Sequence, residues 1–460
     1  MADIAPLTPL RYDLARLAQQ GKGLGDVVAP PYDVISPQER AALAARDPHN
    51  VVRLILPEGE GDAHRDKYAE AARILAGWRE EGALVRDPQP AFYRHDQTFV
   101  PPGSPAGTPT LRRRGFLALV RLVPFSERVV LPHERTLSGP KEDRLRLFRA
   151  TQTNLSPGFM LYRDPQGSLG GALEEAEPIA QFSTDDGVQH ALAKVSHPDA
   201  LRALVEGIAP STLLIADGHH RYETALRYSE EAAAKPGALP LGEHRFFMTF
   251  LVNGDDPDLV VFPTHRHVHS LPSFSFDDLT RRAAGLFHVE ALPRGADAGV
   301  LVRALATAGA TGLTGKRPSL VAASPDGRAI LLTLSPDADL AAHPVLGARP
   351  AVLRRTDVTL LHAGILEPLL GITPEAQAAK TNLLYPQDAR ASLAELRAGK
   401  GNVLFLMNAT PVVDVRRVAE AGEVMPQKST FFYPKIPTGL AIHTLDPARA
   451  VARPVAGAGA

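Results

Sequence analysis

The stretch Leu214-Ile215-Ala216-Asp217-Gly218-His219-His220-Arg221-Tyr222-Glu223-Thr224-Ala225-Leu226 decides how this chain is read. An apolar run, Leu213 to Ala216, has the character of a buried strand, and a helical pattern begins at once after the polar residues that follow it. Glycine at a strand-to-helix turn lets backbone N–H groups come close to a ligand, and the helix that opens there directs its positive dipole end to the same place. Arg221 adds a planar cationic fork suited to phosphate, and His219 and His220 add donors or proton carriers. The stretch therefore reads as a phosphate-binding turn made of Asp217, Gly218, His219, His220 and Arg221. A plainer reading, with Asp217 as a helix cap and Gly218 as a tight turn, covers Asp-Gly but not two histidines and an arginine in succession.

Outward from this turn, composition narrows the function classes. The chain has 460 residues, enough for two or three domains, and 44% hydrophobic and 22% charged residues, as in an ordinary globular protein. A formal net charge of −1 supplies no global field for nucleic acid, so none is expected as a partner. The absence of cysteine excludes disulfides, thiolate catalysis and cysteine-ligated metals. No apolar run approaches the roughly 18 residues of a membrane span, and no basic-then-apolar leader opens the chain. The expectation is a cytoplasmic protein without a membrane partner. Its oligomeric state is not legible.

The pattern along the chain suggests a mixed α/β (α+β) protein of three regions, 1–90, 91–270 and 271–450, followed by a disordered tail, 451–460. The first contains an extended Ala29-Pro30-Pro31-Tyr32-Asp33-Val34-Ile35, a helix opened by Ser36 with Glu39 at the capping-box position, a strand at Asn50–Pro57, and an amphipathic helix from Asp66 to Glu81. Strands are expected at Phe92–Val100 and Gly115–Val123 around the loop 101–110, then a helix at 139–153 and a strand at 155–161. The third region is a smaller α/β segment with strands at 320–323, 329–334 and 403–407 and helices at 359–370 and 387–398.

Three further clusters carry chemistry-bearing residues. In Pro132-His133-Glu134-Arg135-Thr136, Glu134 stands between an imidazole and a guanidinium and can serve as a general base if partial burial poises it; a solvated ion-pair loop is the alternative. In Met425-Pro426-Gln427-Lys428-Ser429-Thr430-Phe431-Phe432-Tyr433-Pro434-Lys435, Lys428 and Ser429 resemble the end of a phosphate loop, but the glycines of a Walker loop are missing. Lys428 and Lys435 can reach anionic substrate groups while Phe431 to Tyr433 fill the core. In Thr264-His265-Arg266-His267-Val268-His269, three histidines at alternate positions share a strand face and could bind zinc. The preferred reading uses Thr264, His265 and Arg266 as substrate contacts and assigns no metal site.

Taken together these words are similar to domain-of-unknown-function family 1015 over almost the whole chain: Ala29 to Ile35, Pro132 to Thr136, Ala216 to Glu223, Pro263 to Arg266 and Met425 to Thr430. More distantly, residues 130–230 resemble the free-serine kinases of the ParB/sulfiredoxin-like superfamily. That resemblance implies a ParB/sulfiredoxin-like core with large insertions and an added C-terminal region. It also implies Glu134 as catalytic base and Gly218 to Arg221 as the nucleotide phosphate turn. Sulfiredoxin chemistry needs a cysteine, and ParB-type proteins carry basic DNA-binding faces, so a phosphotransferase is the surviving member. The expected function is a nucleotide-dependent kinase of a small hydroxy amino acid such as free serine, using ATP or ADP with Mg²⁺. His219 and His220 would assist catalysis, Asp217 would orient a histidine or touch the phosphate-bound Mg²⁺, and His133, Arg135, Thr264, His265, Arg266, Lys428 and Ser429 would contact substrate. The alternatives are a phosphomonoester (phosphoserine-type) hydrolase and a non-catalytic nucleotide sensor.

Overall fold

The structure is a computed structural model that describes residues 1–58, 66–104, 107–136, 138–308 and 317–453, with 138–140 described by backbone alone. Of the expected tail, residues 454–460 lie outside the described residues. The architecture is mixed α/β, as the sequence pattern implies. Two compact units divide the chain: a first unit of Met1–Leu131, Leu137–Leu259 and Pro434–Ala460, and a second of Pro132–Thr136 and Val260–Tyr433.

The first unit is built on a nine-stranded mixed sheet. Its centre is Phe246–Asn253, a strand buried from Phe246 to Val252, which runs antiparallel to Leu111–Arg121 and parallel to Gly158–Tyr162. Phe92–Phe99, Gln189–Val195 and Glu177–Ser183 extend the sheet on one side. On the other, Gly158–Tyr162 pairs antiparallel with Leu213–Asp217, which pairs parallel with Val130–Leu131. The helices Ser138–Thr151 and His219–Ala233 pack together, and Phe148, Tyr222 and Tyr228 join Met160, Ile215 and Phe247 in one apolar core. Tyr222, Ala225, Ser229 and Ala232 are buried at helical spacing, which explains why the segment after Gly218 becomes a helix seated on the sheet. The Tyr222 hydroxyl fixes its angle by donating to the Val123 carbonyl at 2.8 Å.

The second unit has a six-stranded antiparallel sheet in the order Phe287–Ala291, Ala329–Leu334, Ser319–Ala323, Val403–Met407, Arg266–Val268 and Leu383–Leu384. Both faces of its middle strands are covered. Leu320, Ala322, Val403, Phe405 and Met407 face one core with Leu279, Leu360 and Ile365, while Val321, Ala323, Leu404 and Leu406 face another with Leu301, Leu305 and Leu396. That double burial is why Val403 to Met407 is apolar at every position.

Most expected elements are present near their expected limits. Ser36 and Glu39 form the reciprocal capping box on Pro37–Arg46, and Asp66 caps Lys67–Glu80. The expected strand at Asn50–Pro57 is instead the short helix Val52–Ile55. Asn50 is the physical reason: its amide donates to the Asp26 and Val28 carbonyls at 2.9 and 3.0 Å, and its oxygen accepts from Val52 N–H at 3.0 Å, which starts a helical turn. The helix expected at 359–370 is interrupted by a π-helical segment, His362–Leu366, between Asp357–Leu361 and Glu367–Leu370. No helix among the described residues is long and apolar enough to cross a membrane.

Candidate functional site

In the first unit, the strand Leu213–Asp217 delivers Asp217 to the sheet end, and Gly218 turns the chain with φ 94°. That left-handed conformation suits glycine and strains other residues. Gly218 is the helix N-cap and itself has no side chain to offer the helix, whose first backbone bond is Tyr222 N–H to Gly218 O at 2.9 Å. Asp217 is therefore not the cap. Its carboxylate pairs with Lys435 Nζ at 3.2 Å and Arg221 Nη2 at 3.5 Å, two cations around one anion. Helix dipole and cationic surplus together favour an incoming anion here.

Arg221 is buried and also donates to the Pro157 carbonyl. Its guanidinium closes against Gly218 so tightly that a Cβ there would lie 3.1 Å from it. His219 is buried and His220 half-buried. Lys435 is moored through its backbone: its carbonyl accepts from Gln97 Nε2 at 3.0 Å, and Arg113 donates to the neighbouring Pro434 carbonyl. Ala29 and Thr438 exchange backbone hydrogen bonds at 3.1 and 2.8 Å, which ties the Pro30-Pro31-Tyr32 segment to the same strand-like run. Tyr32 and Arg221 then line one cleft with Arg144, Asn154 and Ser156. The Arg144 guanidinium lies 4.3 Å from the centre of the Tyr32 ring. Burial raises the Tyr32 phenol above its ordinary value, an effect that Arg221 and Arg144 oppose. Tyr32 and Arg144 were absent from the expected site, whereas Lys435, expected to reach an anionic substrate group, lies at the turn itself, paired with Asp217. The dense Ala29 to Ile35 word and the acidic and basic run at 141–144 were the available signals.

In the second unit, residues 133–135 run beside Met425: Met425 N–H donates to His133 O at 2.8 Å and Arg135 N–H to Met425 O at 3.3 Å. This places the Glu134 carboxylate over three consecutive amides. Oε2 accepts from Lys428 N–H at 3.1 Å, and Oε1 accepts from Ser429 and Thr430 N–H at 2.9 and 3.1 Å. Lys428 adopts φ 58°, and the left-handed residue curls its neighbours' N–H groups to one side, forming an anion nest. His133 is buried, shares a hydrogen bond with Thr430 Oγ1 at 2.9 Å, and lies 3.6 Å from Glu134 Oε1. Arg135 is exposed.

Thr264, His265 and Arg266 lie in the interior of the same unit. His265 accepts from Met407 N–H at 3.1 Å, and burial pushes its imidazole down to about 4. Arg266 donates to Thr264 O, to Lys428 O at 3.1 Å and to His362 Nε2 at 3.1 Å, and lies 5.0 Å from the Tyr385 ring centre. The structure thus brings Glu134, His133, Arg266, Lys428 and Ser429 into one network, and brings Asp217 to Arg221 together with Lys435 in the other unit. Among the described residues, no group of three or more His, Asp or Glu side chains could hold a metal ion. Asp217 is the carboxylate at the turn, and already paired with two cations it fits a nucleotide-borne Mg²⁺ only through the metal's waters.

A family model described as "Protein of unknown function (DUF1015)" matches residues 4–359, and the chain belongs to that family. Among curated proteins, none matches. Solved structures similar to this chain at low identity include the following three. A conserved hypothetical protein from Pyrococcus furiosus is 14% identical, with 69% of this chain and 93% of that one covered, at TM-score 0.34. A free serine kinase in complex with AMP is 12% identical, with 68% and 89% covered, at TM-score 0.34. SbnI with a C-terminal truncation, from Staphylococcus aureus, is 10% identical, with 71% and 87% covered, at TM-score 0.34. Similarity of this degree carries no argument about the site.

Proposed function

We propose that this member of the DUF1015 family is a phosphotransferase that binds a nucleotide phosphate at the Asp217–Arg221 turn and phosphorylates a small hydroxy amino acid, with free serine as the first substrate to test. One observation carries the reading: a helix N-terminus opened by a left-handed glycine, beside a carboxylate shared by Lys435 at 3.2 Å and Arg221 at 3.5 Å. Phosphoryl transfer asks a protein mainly for positioning and for donors that absorb charge on the moving group, and the turn offers both. His219 and His220 would add donors or carry protons. Mg²⁺ borne by the nucleotide would neutralise phosphate charge, with Asp217 reaching its water shell. Glu134 enters the reading as the base for the substrate hydroxyl through the resemblance to the kinases. The three amides at 2.9–3.1 Å hold its carboxylate in one position.

The test is a thermal-shift and calorimetric screen with ATP, ADP and AMP, with and without Mg²⁺, followed by a ³¹P NMR assay with serine. A ligand of the folded state must raise Tm. Lys435→Ala should weaken nucleotide binding about tenfold, near the effect of one charge-assisted contact. Glu134→Gln should keep nucleotide binding and lose turnover. No shift with any nucleotide would sink the kinase reading; turnover of phosphoserine without nucleotide would replace it with a hydrolase, and binding without turnover with a sensor.

A further inference from the structure

Arg266 is among the largest fully buried side chains of the protein, yet among the described residues no carboxylate is in ion-pair contact with it. A buried cation with no counter-charge in contact is costly, so its surroundings must compensate, Glu134 being the carboxylate whose charge reaches it. They do so through one peptide unit. Arg266 Nη2 donates to the Lys428 carbonyl at 3.1 Å, and the N–H of that same peptide, on Ser429, donates to Glu134 Oε1 at 2.9 Å. A peptide polarised by a cation at its oxygen is a stronger donor at its nitrogen. The guanidinium is itself held from behind. His362 Nε2 accepts from Arg266 Nε at 3.1 Å, which places the ring proton on Nδ1, 2.7 Å from Gln377 Oε1. Burial, with the nearby Arg266 charge, pushes His362 down to about 3, so it remains the neutral acceptor this chain of bonds requires. Burial lowers Arg266 only to about 10, so the guanidinium stays charged.

We infer that Arg266 is a positioning residue for Glu134: it acts through the Lys428–Ser429 peptide, which couples the buried cation to the carboxylate and keeps the nest in its left-handed form. The inference rests on the reading of Glu134 as the base, to which it adds the device that orients that base. It also links three sequence words, Pro132–Thr136, Pro263–Arg266 and Met425–Thr430, into a single unit of structure.

The test is a double-mutant cycle on the thermal unfolding of the full, ligand-free chain. Arg266→Gln and Glu134→Gln should each lower Tm, the first by roughly 5 °C or more. The double variant should lose clearly less than the sum, because each charge loses its reason to be stabilised once the other is gone. If Arg266→Gln cannot be purified, Arg266→Lys, which keeps the charge without the fork, carries the same cycle with smaller coupling of the same sign. Additive losses in the cycle that is run would overturn the inference, since a merely space-filling arginine couples to nothing it does not touch. The cycle needs no substrate. Coupling without any turnover in the wild type removes the kinase reading and keeps the relay; turnover with additive losses removes the relay alone.

Discussion

The turns at Gly218 and Lys428 solve the same backbone problem with opposite outcomes. Both place a residue at positive φ, 94° and 58°. At Gly218 the conformation costs little because no Cβ is present, and the neighbouring carboxylate, Asp217, is drawn to Lys435 and Arg221. At Lys428 a side chain sits in the left-handed region at a cost of about 1–2 kcal/mol. The chain's own Glu134 supplies the anion, and Arg266 grips the same peptide from the other side. In the proposed function the first turn receives an external anion. The second spends its donors on holding a carboxylate in a fixed position. Two phosphate-loop-like words in one sequence can thus have different tasks, and the side chains around the amides decide which.

The sharpest way to break this comparison is to remove the glycine. Gly218→Ala puts a methyl group 3.1 Å from the Arg221 guanidinium on a backbone at φ 94°. The expected outcome is a loss of about 1–3 kcal/mol of stability from the strained backbone and the displaced arginine. Nucleotide binding should fall more than tenfold. Chemical denaturation and calorimetry of the purified variant would show both. A variant that binds nucleotide as the wild type does would remove the special role of this turn.

The two turns should also differ in how pH reaches them. Behind the Lys428 turn, Thr410 Oγ1 donates to Ser429 O at 3.0 Å, and Asn408, two residues earlier, donates to Asp357 at 3.2 Å. Burial raises Asp357 to about 7, and buried Asp414 to about 6. A carboxyl raised in the folded state stabilises it fully below its unfolded value, near 4, and this stabilisation is lost as pH rises through the folded value. Asp357→Asn should therefore gain on the wild type between pH 4 and 7, by up to about 1 kcal/mol per pH unit. The buried imidazoles His265 and His362, pushed down to about 4 and 3, act in the opposite sense: their contribution is present above about 6.5 and fades as pH falls toward those values. Tm measured against pH for wild type and Asp357→Asn separates the two, because the imidazoles cancel in the difference. A flat difference would mean that Asp357 is not buried as a neutral acid in solution.

How much of this was legible in the sequence depends on whether the signal was local. The turn at Asp217 was readable because glycine, polar residues and the helical spacing of Tyr222, Ala225, Ser229 and Ala232 lie next to one another. The same holds for the capping box at Ser36 and Glu39. The segment Asn50–Pro57 misled because a short apolar run has no decisive period, and the long-range bonds of Asn50 that start its helix are invisible in sequence. Which distant side chains complete the turn was hidden for a related reason. Lys435 and Tyr32 come from positions far along the chain and are brought in by the backbone exchange between Ala29 and Thr438. Thr264 to Arg266 were visible as an unusual word, but their type alone could not show that Arg266 would be interior, facing a peptide in place of a ligand.

The smallest effect gives the finest discrimination between the turns. If Lys428 is left-handed because Arg266 and Glu134 hold it there, glycine at this position should relieve strain and keep the nest intact. Lys428→Gly should then change stability by a gain of at most about 1 kcal/mol, since relief of the left-handed penalty is partly offset by the greater freedom of glycine in the unfolded chain. The amides of 428–430 are backbone groups and persist in this variant, so Glu134 keeps its three donors. Lys428→Val, with a β-branched side chain at φ 58°, should instead be destabilised by more than the glycine variant gains. Equal stability of the two in denaturant titrations would show that the turn relaxes out of its left-handed form. Gly218 would then be the place in these two turns where positive φ is a requirement.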